Sequence, residues 1–145
     1  MRMKRLDLSR GVRRKQGSTG PANLRKHDML IYDLIIVGAG PAGITASVYA
    51  ARKKLNFLVI SLDIGGQAAW SGDIENYTGY QFITGPELSS KFEEHMRKYD
   101  TALKENEEVL ELKKVGEVIS VITKKGQYHS RSVIIASGKK SKELN

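Results

Sequence analysis

The hydrophobic pattern after residue 28 predicts a strand, a helix and a second strand. Residues 30–37 form a mostly apolar, β-branched run that stops at Gly38, as a buried parallel strand does. Residues 41–52 read as a helix of small residues, with Pro41 in the first turn and basic residues at the C-terminal end. Residues 57–60 are again apolar. This order predicts an α/β fold that begins with a right-handed βαβ unit.

The second half of the chain predicts one more helix and a group of short strands. Residues 63–85 contain five glycines, two aspartates and an asparagine with little periodicity, and they predict a long loop. Thr84 and Glu87 have the spacing of a capping box. A helical stripe of large apolar residues follows, which predicts one amphipathic helix packed on the core: Leu88, Phe92, Met96, Tyr99 and Leu103. Strands are predicted at 109–112, 118–123, 127–130 and 133–136, with a hairpin turn at 124–126.

Composition narrows the possible functions. The 145 residues are enough for about one domain. The absence of cysteine excludes a disulfide framework, a thiolate metal site and a Cys-x-x-Cys redox centre within these residues. No apolar run reaches the roughly 18 residues of a membrane span, so we expect a soluble protein without membrane contact. We also expect a cytoplasmic location. The three histidines are isolated, and neither a metal site nor a catalytic residue is predicted.

The positive charge lies almost entirely in residues 1–28. This segment has nine basic and two acidic residues, whereas residues 29–145 carry a net charge of only +1. Its composition predicts a disordered extension ahead of a domain at 29–145. Three interpretations remain open: a nucleic-acid or anionic-surface arm, a transit peptide, or a segment without a role before a domain that begins near Met29.

A G-x-G-x-x-G motif joins the first predicted strand to the helix. Gly38 permits the tight turn, Gly40 lets a pyrophosphate approach the backbone, and Gly43 allows close packing of helix and strand. Pro41 and Ala42 begin the helix, whose N-terminus offers free N–H groups to phosphates. In its strand-to-helix context the motif predicts a dinucleotide site.

The acidic residue that this motif requires at the end of the second strand is missing. Ser61 occupies the position, and a serine hydroxyl can make a single hydrogen bond to a ribose but cannot grip it as a carboxylate does. Asp63 could substitute if the loop bends back, or it could be a solvated loop residue. The motif alone therefore supports NAD binding only weakly.

Three further motifs follow in a characteristic order. They are Gly65-Gly66-Gln67, the run Ile-Glu-Asn-Tyr-Thr-Gly at 74–79, and Ile-Ile-Ala-Ser-Gly at 134–138. Together with the glycine turn they resemble the FAD domain of thioredoxin reductases, and also the flavoprotein subunit of alkyl hydroperoxide reductase, over about residues 31–143. The resemblance implies a three-layer Rossmann-type domain, with a parallel sheet and a β-meander, that is truncated before a pyridine-nucleotide domain.

The resemblance also implies roles for individual residues. Gly65, Gly66 and Gln67 would lie along the pyrophosphate, ribityl chain and flavin. Asn76 would bind near the flavin ring, and the backbone around Glu111 and Leu112 would meet the adenine. The three residues nearest the crossing into the second domain would also lie near FAD: Ala136, Ser137 and Gly138. Asparagine and glycine are also common in loops that bind nothing.

For the intact relatives, the resemblance implies hydride transfer from NADPH to FAD and passage of the electrons to a disulfide. A second glycine fingerprint for NADPH and a Cys-x-x-Cys pair are both absent from this sequence. We therefore expect an FAD-binding portion of a pyridine-nucleotide-disulfide oxidoreductase, with turnover doubtful for this chain alone. The resemblance implies a thioredoxin-like or peroxiredoxin-type acceptor, a homodimer, and a second half or polypeptide that completes the fold. The alternatives are a non-catalytic nucleotide-binding fragment and a nucleic-acid-binding protein.

Overall fold

A computed structural model of the protein describes residues 30–139. The basic extension at 1–28 and the histidine within it lie outside the described residues. The elements, in chain order, are β1 (Ile31–Ala39), α1 (Pro41–Arg52), β2 (Phe57–Ile64), α2 (Gly66–Ala69), β3 (Asp73–Ile74), β4 (Ile83–Thr84), α3 (Gly85–Arg97), β5 (Leu103–Lys104), β6 (Val109–Val115), β7 (Val118–Thr123) and β8 (Gln127–Ile135).

The central sheet has six strands in the order β5-β2-β1-β8-β7-β6. Strands β5, β2, β1 and β8 are parallel, whereas β6 and β7 form an antiparallel meander with β8. The predicted α/β class, βαβ unit and mostly parallel sheet are therefore confirmed. Strands β3 and β4 pair separately as a two-stranded ribbon.

Both faces of the parallel strands are covered by apolar side chains. On one face Ile36 and Val59 belong to a buried cluster with Ile44 of α1 and Met96 of α3. On the other face Val121 of β7 belongs to a buried cluster with residues of β1 and β2, so the meander end of the sheet curls over the parallel strands. Burial on both faces explains why β1 and β2 read as continuous apolar runs rather than as alternating ones.

The amphipathic helix is shorter than its hydrophobic stripe predicts. Helix α3 ends at Arg97 because the Thr101 hydroxyl bonds the carbonyl oxygens of Met96 and Tyr99, at 3.2 and 2.8 Å. The expectation that the helix continues to Leu103 is therefore wrong. Leu103 instead begins β5, where it pairs with Val59 of β2.

The start of α3 confirms only part of the predicted capping box. The Thr84 side chain accepts a hydrogen bond from the Glu87 N–H at 3.3 Å, which satisfies one free donor of the first turn. The Glu87 carboxylate lies 3.8 Å from the Lys91 ammonium group, an exposed pair one turn further along the helix. This cap fixes where the helix leaves the β3–β4 ribbon.

Two further sequence expectations need correction. The segments 127–130 and 133–136 were expected as separate strands, but β8 is continuous because its polar middle is used structurally: Ser132 donates to the Asp33 carbonyl at 2.7 Å. The stretch 63–85 is not a structureless loop, since it contains the end of β2, helix α2 and the β3–β4 ribbon.

Candidate nucleotide-binding site

Three parallel strands end at one edge of the sheet and enclose a cavity of about 630 Å³. The walls come from residues 37–42 at the end of β1, 60–63 in β2, 66–67 in α2, 107–109 ahead of β6, and 136–139 after β8. In open α/β sheets, ligands bind in such a crevice beyond the carboxyl ends of the strands.

Two glycines of the turn are required by close backbone contacts. Gly38 has φ +103°, and a Cβ there would lie 2.3 Å from the Ala136 carbonyl oxygen. A Cβ on Gly43 would lie 1.9 Å from the Gly38 carbonyl oxygen. Neither position has room for a side chain, so both glycines hold β1, α1 and the segment after β8 together.

Gly40 differs from these two because it faces open space. A Cβ there would have one neighbour within reach, the Gly65 carbonyl oxygen at 4.0 Å, and its backbone at φ −76° suits any residue. The fold itself therefore does not require glycine at this position. The clearance lies on the cavity side of the turn, where a ligand would approach the backbone.

The N-terminus of α1 has no cap of its own. Gly40 provides no side-chain hydrogen bond, the first turn has no acidic residue, and Pro41 has no N–H. The first helical hydrogen bond joins the Ile44 N–H to the Gly40 carbonyl at 2.9 Å, so the N–H groups of Ala42 and Gly43 precede it. Free N–H groups at the positive end of a helix favour an anion.

Ser61 stabilises the turn. Its buried hydroxyl accepts from the Ala39 N–H at 2.9 Å and donates to the Asp63 carbonyl at 2.6 Å. Strand pairing jumps here: Val37 lies opposite Ile60, but Ala39 lies opposite Ile64. The serine thus holds a bulge in β2 against the end of β1, and its only proton is already donated.

The structure brings together ten of the predicted site residues in the cavity wall: Gly38, Gly40, Pro41, Ala42, Ser61, Gly66, Gln67, Ala136, Ser137 and Gly138. Gly43 and Gly65 pack behind the wall, the latter with its Cβ position 2.8 Å from the Ser89 Cβ. Asn76 and Leu112 are exposed and do not line the cavity. Residues 107–109 line the cavity, and contact of the backbone around Glu111 and Leu112 with the adenine stays a prediction.

Sequence reasoning missed Glu107. Only 3% of this residue is exposed, yet it lines the cavity. Its Oε1 accepts from the Thr123 hydroxyl at 2.5 Å and from the Tyr128 hydroxyl at 3.0 Å. Burial, together with the hydrogen bond to Glu107, raises the pKa of Tyr128. No local motif marks this glutamate, because its neighbours lie on other strands.

The described residues contain no group of three or more metal-ligating side chains. His95 contacts the Tyr99 ring, with centroids 5.8 Å apart, and His129 is part of β8. None of the helices in residues 30–139 is long and apolar enough to cross a membrane.

Comparison with known proteins identifies the family. The sequence profile of the pyridine nucleotide-disulphide oxidoreductases matches residues 32–145. The chain belongs to this family. Thioredoxin reductase of Bacillus subtilis strain 168 is 45% identical over 117 residues, which are 79% of this chain and 36% of that protein. A 34.2 kDa protein of the rubredoxin operon of Clostridium pasteurianum is 37% identical, and the matched residues cover 37% of that protein.

Solved structures of the family share the fold. Thioredoxin reductase of Streptococcus pyogenes superposes with a TM-score of 0.74 at 40% identity, over 79% of this chain and 37% of that one. The enzyme of Lactococcus lactis gives 0.75 at 36% identity, over 78% and 37% of the two chains. The resemblance to thioredoxin reductases is thus confirmed. The chain spans little more than a third of these family members, and it corresponds to a portion of their FAD-binding part.

Proposed function

We propose that this chain binds FAD, with the pyrophosphate on the glycine turn and the α1 N-terminus. The observation that carries the proposal is the open space at Gly40. The same turn leaves no room for a side chain at Gly38 or Gly43. A glycine that the fold does not need, beside N–H groups ahead of the first helical hydrogen bond, is what a bound diphosphate requires.

The cavity suits a nucleotide in size, and its charges indicate where the diphosphate would lie. Its volume of about 630 Å³ lies within the range of small-molecule sites. Among the described residues that line it, Lys139 is the one cation, so attraction for a diphosphate comes chiefly from the helix N-terminus. The carboxylates of Asp63, Glu107 and Glu108 lie in the walls from β2 and ahead of β6, where they suit hydrogen-bond donors rather than phosphates.

Gly66 and Gln67 also support FAD bound with its pyrophosphate on the glycine turn. A Cβ on Gly66 would lie 3.3 Å from the Gly40 Cα, so α2 begins directly against the glycine turn. The exposed Gln67 amide at the cavity wall can donate and accept hydrogen bonds along the ribityl side. Ala136, Ser137 and Gly138 close the opposite side, and the Ala136 N–H bonds the Val37 carbonyl at 2.8 Å. Contacts of Gly65, Asn76 and Leu112 with FAD stay predictions from the resemblance.

The full reaction belongs to the proposal as well. When bound, FAD supplies the hydride and electron chemistry, and the protein positions it. In an intact relative, NADPH would reduce FAD and the electrons would reach a disulfide of a thioredoxin-like or peroxiredoxin-type protein. This chain has no cysteine, so any dithiol must come from outside its 145 residues. We include in the proposal a homodimer, a cytoplasmic location and a second half that completes the FAD domain.

Flavin titration tests the proposal. The full 145-residue chain is purified, incubated with excess FAD, passed through a desalting column and denatured, and the supernatant is scanned for flavin absorbance. A yellow band in proportion to protein is the expected result. An absent band, together with unchanged flavin fluorescence on titration, contradicts FAD binding by this chain. The same titration with ADP shows whether the adenosine diphosphate half binds without the flavin.

A further inference from the structure

Ser61 occupies the position where the glycine fingerprint requires a ribose-binding acid, and its side chain binds the backbone instead. The Ser61 hydroxyl donates its proton to Asp63 and accepts from Ala39, so it is committed to the backbone. A ribose hydroxyl presents donors that a carboxylate accepts best. If the cavity binds an adenine dinucleotide, another acceptor must stand near the end of β2.

Glu107 lies beside this position. Its backbone N–H donates to the Ser61 carbonyl at 3.0 Å, which places it alongside the end of β2. Both hydrogen bonds of its side chain end on Oε1, so Oε2 has no hydrogen-bond partner among residues 30–139. Oε2 is also not among the unpartnered atoms sealed from solvent. Only 3% of Glu107 is exposed and the residue lines the cavity, so the cavity is the space available to Oε2.

The surroundings of Glu107 are unusual for a purely structural carboxylate. Burying a charged group is costly unless it is paired. No lysine, arginine or histidine of the described residues forms an ion pair with it. Two neutral hydroxyl groups fix one oxygen, and their geometry holds the other in place. A preorganised acceptor of this kind suits recognition of a ligand hydroxyl.

The two other carboxylates of the cavity are less suited. Glu108 is bound by the Lys124 ammonium group at 2.5 Å and is partly exposed. Asp63 is exposed and lies beyond the bulge that Ser61 holds. Exposed carboxylates are solvated and gain less from a ligand than a buried one.

We propose that the Glu107 carboxylate is the ribose-binding residue of this site, accepting a hydrogen bond on Oε2 from a ribose hydroxyl of the adenosine half. On this assignment, the ribose-binding acid stands on the connection between β5 and β6 rather than at the end of β2. This assignment rests on the proposed function, because it requires an adenine dinucleotide in the cavity. It gives Glu107 a role in specificity for ribonucleotides.

Calorimetric titration of the flavin-free full chain separates the two proposals. The ligands are ADP, 2′,3′-dideoxy-ADP and inosine diphosphate, and the proteins are wild type, Glu107→Gln and the matched control Asp63→Asn. Glutamine keeps an oxygen for the Thr123 and Tyr128 hydroxyl groups, which preserves their hydrogen bonds. A hydrogen bond to a charged group corresponds to about a tenfold effect or more. Wild type should therefore bind ADP about tenfold more tightly than the dideoxy analogue.

The Glu107→Gln variant should lose most of that preference while binding dideoxy-ADP as wild type does, and Asp63→Asn should retain it. Equal wild-type affinity for ADP and dideoxy-ADP overturns the assignment even if the variant fails to fold. So does a loss of preference in Asp63→Asn, or a Glu107→Gln effect on the ADP-to-inosine ratio alone, which would indicate contact with the adenine. Wild type that binds FAD but neither ribonucleotide overturns this assignment and leaves the proposed function standing, whereas wild type that binds neither FAD nor the ribonucleotides refutes the proposed function.

Discussion

Substitution of Gly40 by alanine separates ligand binding from folding. The added Cβ has no neighbour closer than 4.0 Å, and the backbone conformation is open to any residue. Alanine is a poorer N-cap than glycine by about 0.5–1 kcal/mol. Against this, it reduces the entropy of the unfolded chain, which stabilises by about 0.4–1 kcal/mol. The two terms nearly cancel, and the free energy of unfolding should change by less than about 0.5 kcal/mol.

Binding should respond very differently, because the Cβ fills space that the diphosphate needs. At a ligand concentration of about 100 times Kd, wild type gains about 2.7 kcal/mol. For a domain of this size that corresponds to a rise in Tm of about 10 °C. A hundredfold weaker variant retains about 0.4 kcal/mol under the same conditions, or about 2 °C.

The assay is a thermal shift with ADP or FAD on wild type, Gly40→Ala and Gly72→Ala. Gly72 is the matched control, since a Cβ there meets no atom within 4 Å and the residue does not line the cavity. Gly40→Val should lose the ligand shift completely. A Gly40→Ala protein that melts like wild type and keeps the full shift would refute the placement of the diphosphate on this turn.

Three more variants test the structural framework. Gly43→Ala forces a Cβ to 1.9 Å from the Gly38 carbonyl oxygen, so urea unfolding should show that the folded state is destabilised by about 1–3 kcal/mol. Unchanged stability would show that α1 lies further from β1. Ser61→Ala leaves the Ala39 N–H unpaired and should lower the free energy of unfolding by about 1–3 kcal/mol. Ser89→Ala is the control, because Ser89 Oγ has no partner in the described residues, and equal effects of the two variants would contradict the role of Ser61. The raised pKa of Tyr128 means that the folded state holds its proton more tightly, so stability should fall as the pH rises above about 10, and Tyr128→Phe should lack that slope in melting curves from pH 8 to 11.

Local chemistry made the glycine turn and its flanking elements predictable from the sequence. The absence of a side chain permits close backbone packing at Gly38 and Gly43 and leaves open space at Gly40. Helix α1 begins at Pro41 and ends at Arg52, as the sequence pattern indicates. The apolar stripe wrongly predicts that the helix continues to Leu103, because hydrophobic periodicity carries no information about the Thr101 hydroxyl, which bonds the last carbonyl groups of α3. The sequence predicts two strands where β8 is one, because Ser130 and Ser132 interrupt the apolar pattern, although Ser130 is fully buried in the structure.

The composition of the cavity wall depends on contacts that no local window contains. Residues 107–109 reach the cavity because β5 extends the parallel sheet beside β2 and the Glu107 N–H bonds the Ser61 carbonyl. A short two-residue strand with a polar neighbourhood carries almost no periodic signal, so the sequence pattern does not indicate that residues 107–109 reach the cavity. On the proposed assignment, the ribose-binding acid stands at the same sheet edge but not among the residues that follow β2 along the chain. Ser61 occupies the fingerprint position, and its carbonyl anchors the neighbouring loop on which the Glu107 carboxylate stands.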